Sequence, residues 1–184
     1  MTPADKVSAS GSPDGQPALR VVAWEVTRAC HLKCRHCRAQ AIDKAPEGEL
    51  STQECLAFLD DLATLGRCLI ILTGGEPMLR EDIYDLARYA TDKGFRVVAA
   101  PCGLYLTPET ARKLLAAGVQ RISLSVDGTT AESHDGMRGV PGAFDMVRRA
   151  MQAAREAGLP FQINTTVHAG NRDELPTMAR FVQD

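Results

Sequence analysis

The sequence predicts an α/β protein, a partial barrel of parallel strands that stops after about five β/α units. Five β-branched or apolar segments alternate with helical segments along the chain, and such alternation forms parallel sheets with right-handed crossovers. In a doubly wound sheet, helices cover both faces and the strands are apolar throughout. Three of these segments instead alternate polar and apolar residues, which favours a barrel with a polar interior.

The predicted elements follow one another without a break. Strand VVAWEVT (21–27) precedes a helix over 51–66, where Ser51 is the N-cap and Glu54 completes a capping box. The later segments show the same succession of short strands and amphipathic helices. They are, in order, a strand over 68–75, a helix over 80–94, a strand over 95–103, a helix over 107–118, a strand over 121–128, a helix over 142–158, a strand over 160–170 and the start of a helix over 171–184.

The polar residues of the alternating strands define the interior face of the predicted barrel. They are Glu25 and Thr27 in the first strand, Ser123, Ser125 and Asp127 in the fourth, and Gln162, Asn164, Thr166 and His168 in the fifth. The residues between them, from Ile122 to Val126 and from Phe161 to Val167, face the helices.

Composition limits the class of protein. Hydrophobic residues are 45% and charged residues 24% of 184, as in an ordinary globular domain, which we place at 19–184 after a disordered leader over 1–18. A net charge of -2 gives no overall basic character for binding nucleic acid or a membrane. With no signal peptide or long apolar run, we expect a cytoplasmic protein with reduced cysteines.

Three of the six cysteines, Cys30, Cys34 and Cys37, lie in TRACHLKCRHCRAQ (27–40) with C-x3-C-x2-C spacing. A closed zinc site uses four ligands, and each iron of a [4Fe–4S] cubane needs its own terminal ligand. Three thiolates therefore leave one position open. Two alternatives remain. One is a thioredoxin-like dithiol, which does not need Cys30. The other is a non-catalytic structural or interaction module that holds a cluster, or a zinc ion completed by His31 or His36.

The unusual residues all follow predicted strands. In β/α barrels the chemistry lies on the loops after the strands, so these residues are expected at one rim. A GGEP turn alone indicates little more than a tight turn, but here it follows the strand after the cysteine loop. In chain order the rim residues are the cysteine loop, Gly74 to Pro77, Cys102 and Gly103, Asp127 and Gly128, and Asn164 to His168.

These motifs resemble those of the radical S-adenosylmethionine (radical SAM) superfamily from about residue 20 to the end of the chain. WEVTRACHLKCRHC, TGGEP, ISLSVDG and HDGMRGVPGAFD are together similar to the SPASM-type branch with C-terminal auxiliary clusters. That branch includes peptide maturases and enzymes of alternative haem and haem d1 synthesis. The resemblance implies a TIM-type (β/α)6 barrel, of which about five units are present.

The resemblance also implies the chemistry. Cys30, Cys34 and Cys37 would ligate a [4Fe–4S] cluster whose fourth iron binds S-adenosylmethionine. Reductive cleavage would give methionine and a 5′-deoxyadenosyl radical, which abstracts a hydrogen atom from a peptide or tetrapyrrole substrate. An electron donor such as flavodoxin or ferredoxin is implied as a partner.

Cofactor contacts follow from the same resemblance, residue by residue. Without it, Arg138 would be predicted as a surface arginine and Ser125 as a hydrogen-bonded core hydroxyl. The implied contacts are His36 near the adenine, the GGEP turn of Gly74, Gly75, Glu76 and Pro77 at the methionine ammonium, Ser125 at the ribose or methionine, Arg138 at the methionine carboxylate and Asn164 at the ribose.

Two features depart from the family pattern. Cys102 stands at the rim where relatives often have Asn, and we predict packing for it, with an extra cluster ligand or a reactive thiol as alternatives. No cysteine follows Cys102, so the auxiliary-cluster region is not in this chain. We therefore expect either a piece of a longer protein or a variant that needs a partner.

Overall fold

A computed structural model describes residues 19–181, and the leader predicted for residues 1–18 lies outside this range. The five strands form one parallel sheet in the order β1-β2-β3-β4-β5. Doubly wound sheets reverse their strand order, whereas a barrel keeps chain order. The strands are β1 Val21–Thr27, β2 Leu69–Gly74, β3 Arg96–Ala99, β4 Val119–Ser125 and β5 Phe161–Asn164. The predicted α/β class and partial-barrel order are confirmed.

Six α-helices accompany the sheet in the described part of the chain. They are α1 Thr52–Thr64, α2 Ile83–Asp92, α3 Pro108–Ala116, α4 Ala131–Arg138, α5 Ala143–Ala157 and α6 Leu175–Phe181. The predicted capping box is present at α1, where Ser51 and Glu54 bond each other's backbone N–H groups. Short 3-10 turns lie at Pro77–Leu79 and Arg172–Glu174.

One hydrophobic core lies between the sheet and helices α1, α2, α3 and α5. In β4, Ile122 and Leu124 are fully buried, while Ser123 and Ser125 on the opposite face are only partly buried. Burying such an aliphatic side chain stabilises the fold by about 1.5–3 kcal/mol. The predicted alternation of β4 is therefore confirmed, and it turns one face of the sheet away from the helices.

The fifth strand is shorter than predicted. It ends at Asn164, and Val167, which was expected to face the helices, is 57% exposed. The strand ends here because two hydrogen bonds that involve side chains replace the sheet pairing after Asn164. The Thr165 hydroxyl donates to the Val126 carbonyl at 2.8 Å, and the Thr166 N–H donates to Asp127 Oδ1 at 2.8 Å.

Helix α4, inside HDGMRGVPGAFD, was not predicted. Thr130 caps its start by accepting from the Ser133 N–H, and Gly139 ends it in the left-handed conformation. The helix is polar and contains Gly136, so it lacks a strong apolar stripe. Its stability comes from tertiary contacts, because its last carbonyls, of Met137 and Arg138, accept N–H groups from the cysteine loop.

No helix in the described range is long and apolar enough to span a membrane.

Gly139 should be indispensable where α4 meets the cysteine loop. Its φ is 71°, and a Cβ there would lie 2.2 Å from the Lys33 carbonyl oxygen. We expect Gly139→Ala to lower the free energy of unfolding by about 2 kcal/mol or more, from left-handed strain and the backbone clash. Urea denaturation measures the change.

The matched control is Gly136→Ala in the same helix, where a Cβ meets nothing within 4 Å. It should be neutral or gain about 0.5–1 kcal/mol, because alanine favours a helix interior over glycine. Equal stability of the two variants would contradict the assigned role of Gly139.

Candidate active site

Backbone hydrogen bonds close the cysteine loop on itself and attach it to the end of α4. The Cys30 N–H donates to the Ile42 carbonyl at 2.8 Å, and the Ile42 N–H donates to the Arg28 carbonyl at 2.9 Å. In the middle of the loop, the Lys33 and Arg35 N–H groups donate to carbonyls at the end of α4. Cys30 is buried, whereas Cys34 and Cys37 are partly exposed.

Each of the three sulfurs accepts a hydrogen bond. Cys30 Sγ accepts from the Leu32 N–H at 3.4 Å, Cys37 Sγ from the Ala41 N–H at 3.3 Å, and Cys34 Sγ from Arg138 Nη1 at 3.6 Å. Donors to cysteine sulfur stabilise the thiolate form and tune iron–sulfur clusters. The donor set therefore fits a thiolate-ligated cluster. Within residues 19–181, no three His, Cys, Asp or Glu side chains are arranged to hold a single metal ion.

Glu76 of the GGEP turn joins the loops after three strands. Its carboxylate is completely buried and accepts the Met78 N–H at 2.8 Å and the Cys102 N–H at 2.5 Å. Its own N–H donates to the Ala29 carbonyl at 2.7 Å. Burial raises the pKa of Glu76, while the two backbone donors act in the opposite direction.

The glycines of this turn allow close backbone approach. A Cβ on Gly75 would lie 2.2 Å from the Ala29 carbonyl oxygen, so no larger residue fits beside the cysteine loop. The Gly75 N–H donates to the Thr27 carbonyl at 2.8 Å. Pro77 then begins the 3-10 turn. The structure thus gives the GGEP turn a positioning role, and its contact with S-adenosylmethionine stays a prediction.

A second buried carboxylate, Asp127, lies after β4. Its Oδ2 is 2.6 Å from Arg138 Nη2, and its Oδ1 accepts the Thr166 N–H. Arg138 is only 9% exposed, so the surface-arginine alternative is wrong. Among the described residues, Arg138 Nε has no hydrogen-bond partner although it is buried. Arg138 thus connects Asp127 to Cys34 and keeps one donor free.

His36 lies on the same side, with Nε2 4.0 Å from Asp127 Oδ2 and its side chain 31% accessible. Burial, and secondly the charge of Arg138, lower the pKa of His36, which favours the neutral ring. A neutral planar ring is suited to lying near an adenine, the contact that the family resemblance implies for His36.

Ser125 and Asn164 are adjacent at the ends of β4 and β5, where they are register partners. Ser125 lines a small cavity together with Cys102 and Arg138. Asn164 is exposed, and its Oδ1 accepts from Gln162 Nε2 at 3.0 Å. The structure therefore brings Ser125 close to the centre of the site and places Asn164 further out on the sheet edge.

Cys102 was predicted to pack, and it also forms a polar contact that the sequence did not indicate. It packs against the small apolar cluster that contains Cys30 and Leu32, and its thiol interacts with the Cys30 side chain. The neighbouring Cys102 thiol is the main cause that lowers the pKa of Cys30 to about 7. It favours the thiolate that metal coordination requires.

Asn171 and Asp135 were missed by the sequence reasoning. The buried Asn171 donates from Nδ2 to the Asp127 and Thr166 carbonyls, both at 2.9 Å. Asp135 accepts the N–H groups of Gly142 and Phe144 and so fixes the start of α5. Of these two residues, only Asp135 could have been singled out from the sequence, because it lies in the HDGMRGVPGAFD motif.

Parallel β/α units with a three-cysteine loop and a GGEP turn at the strand ends are typical of iron–sulfur proteins built on a partial barrel. The family model described as Radical SAM superfamily matches residues 24–182. The chain therefore belongs to the radical SAM superfamily, whose members bind a [4Fe–4S] cluster and S-adenosylmethionine.

Curated relatives share this part of their length. An AdoMet-dependent heme synthase from Nitratidesulfovibrio vulgaris is 52% identical over 158 residues, which cover 86% of this chain and 43% of that protein. A mycofactocin maturase from Mycobacterium tuberculosis is 38% identical over 169 residues, 90% of this chain and 43% of that protein. The chain thus spans less than half the length of these relatives.

Solved structures show the same fold. The structure of native anSMEcpe with bound AdoMet superposes with a TM-score of 0.71 at 20% identity, over 89% of this chain and 48% of that one. This agreement supports the barrel-type assignment of the sheet.

Buried His134 gives the site a pH-dependent stability. Its Nδ1 accepts the Asp127 N–H at 3.1 Å, and burial lowers its pKa from 6.5 to about 4. As pH falls from 6.5 to 4, the unfolded chain binds a proton that the folded chain does not. Stability should therefore fall across this window by up to about 3 kcal/mol and then level off.

His134→Asn should remove this component, because its amide oxygen can accept the same N–H without titrating. Urea unfolding measures the free energy of unfolding near pH 7.5 and near pH 4.5. The decrease between these two pH values should be about 2 kcal/mol smaller for the variant than for the wild-type protein. Parallel losses in both proteins would contradict the assignment.

Proposed function

We propose that residues 19–184 form the cofactor-binding core of a radical SAM enzyme, with Cys30, Cys34 and Cys37 as the three cluster ligands. The observation that carries this proposal is the set of three thiols, each with its own hydrogen-bond donor, beside the buried Glu76. When bound, the cluster supplies the electron that cleaves S-adenosylmethionine to methionine and a 5′-deoxyadenosyl radical for hydrogen abstraction from the substrate.

Arg138 is proposed to bind the methionine carboxylate. It already donates to Cys34 and pairs with Asp127, and its buried Nε has no partner in the described part of the chain. A planar guanidinium with a free donor is suited to a carboxylate. The contact would place the methionine end of the ligand next to a cluster cysteine.

The other cofactor contacts are proposed from the same rim. The Gly75 carbonyl and Glu76 would receive the methionine ammonium, since the buried Glu76 carboxylate forms no salt bridge within residues 19–181 and is suited to a positive group. His36 would lie near the adenine, Ser125 would bond the ribose or the methionine portion, and Asn164 would bond the ribose. These side chains orient the ligand and exclude water.

For the substrate, we propose a tetrapyrrole in a haem-forming reaction. The higher identity to the heme synthase, 52% against 38% for the mycofactocin maturase, supports this choice over a peptide. We also propose that the protein works in the cytoplasm, where its thiols stay reduced, and receives its electron from flavodoxin or ferredoxin.

Removal of one ligand cysteine should abolish the cluster. We expect Cys37→Ala, reconstituted without oxygen, to lose most of the bound iron and all formation of 5′-deoxyadenosine under dithionite. Cys68→Ala is the matched control, because Cys68 is a buried cysteine of the core and should leave both quantities unchanged. Iron analysis and chromatography of the products measure them, and normal product formation by Cys37→Ala would refute the ligand assignment.

Glu76→Gln should weaken S-adenosylmethionine binding at least about tenfold while the cluster is retained. The amide keeps only one acceptor oxygen, so either the Met78 or the Cys102 N–H loses its partner, and the negative charge is lost. Equilibrium dialysis measures the affinity, with exposed Glu81→Gln as control. Unchanged affinity in Glu76→Gln would show that the GGEP carboxylate does not act on the ligand.

A further inference from the structure

The outer surface of the cysteine loop is basic, although the whole chain carries a net charge of -2. Residues 28–44 contain five basic side chains and a single acidic one, Asp43. All five basic residues are exposed, and we call them the basic loop surface: Arg28, Lys33, Arg35, Arg38 and Lys44. The loop that carries the proposed cluster ligands therefore has a local excess of positive charge.

Two of these side chains, Lys33 and Arg35, have no internal role in residues 19–181. Neither forms a salt bridge or a side-chain hydrogen bond there. Their backbone N–H groups, however, donate to the carbonyls of Arg138 and Met137, each at 3.0 Å. The backbone is therefore fixed while the charged groups remain available to a partner.

The basic loop surface also lies next to the thiols that are accessible from outside. Lys33 and Arg35 flank Cys34, and a cavity of about 520 Å³ is lined by these three residues together with Cys37. Cys30 instead is buried in a small apolar cluster, against which Cys102 packs. A protein bound to this surface would approach the cluster through Cys34 and Cys37.

We infer that the basic loop surface docks an acidic one-electron donor protein, an inference that rests on the proposed cluster. One electron would pass from the donor's reduced flavin, an anionic hydroquinone that becomes the neutral semiquinone, to the cluster, which goes from the 2+ to the 1+ state. Electron-transfer encounters use small interfaces, and complementary charge mainly raises their association rate. A few exposed cations around the redox centre are sufficient for such a surface.

The test compares Lys33→Glu/Arg35→Glu with Arg96→Glu/Arg112→Glu, which makes the same change in net charge. Arg96 opens β3 at the opposite end of the sheet, and Arg112 is exposed on α3. Stopped-flow absorbance follows cluster reduction by flavodoxin hydroquinone at low and high ionic strength. We expect a roughly tenfold slower second-order rate for the loop variant at low salt, near-normal rates for the control, and convergence at high salt.

Binding gives a readout that does not depend on catalysis. Chemical shifts of labelled flavodoxin, titrated with each protein, should show weaker, salt-sensitive binding for the loop variant only. In every sample, the EPR signal after dithionite, with and without S-adenosylmethionine, reports the cluster separately. If the wild-type protein gives no cluster signal that responds to S-adenosylmethionine, the proposed function is refuted. If every protein gives that signal and flavodoxin reduces the loop variant and the control at equal rates, only the docking surface is refuted.

An anionic substrate is the competing occupant of these cations. Coproporphyrin III, whose carboxylates could bind the same side chains, serves as the probe. If flavodoxin reduces the cluster of the loop variant at the normal rate while this variant no longer binds coproporphyrin, the surface binds substrate and the inference is overturned.

Discussion

The buried carboxylate of Glu76 is the interaction on which the geometry of the site depends. It bonds the N–H groups of Met78 and Cys102, while the Glu76 N–H reaches the Ala29 carbonyl next to the cysteine loop. One residue thereby joins the loops after β1, β2 and β3. Leaving a buried donor without its partner costs about 1–3 kcal/mol, so this arrangement resists displacement. The cysteine loop is held in place even though it contains little regular structure.

Asp127 performs the corresponding task on the other side of the rim. Through Arg138 it connects the end of β4 to Cys34, and through Thr166 it reaches the chain after β5. Removing one member of a buried ion pair leaves an uncompensated charge, so both partners are needed. Two buried carboxylates, Glu76 and Asp127, thus fix the rim from opposite sides. The outer surface of the cysteine loop is not needed for this and can carry exposed basic side chains.

The sequence predicted the strand order and most helices because their apolar residues repeat at regular spacing. It also predicted the cysteine loop and the GGEP turn, since both are contiguous motifs. It missed α4, which is polar and held by tertiary contacts, and it extended β5 past Asn164. The contacts of Glu76 with Cys102 and of Arg138 with Cys34 were missed as well. These pairs are 26 and 104 residues apart, and no local pattern encodes them.

In the proposed site, three cysteines leave one iron of the cluster open to S-adenosylmethionine. The most direct measurement is the low-temperature EPR spectrum of the chain, reconstituted with iron and sulfide without oxygen and then reduced, before and after adding the ligand. We expect a cubane-type signal whose g-values change on addition, because the ligand binds the open iron. A colourless protein that holds one zinc ion, or a cluster signal that does not respond to S-adenosylmethionine, would contradict it.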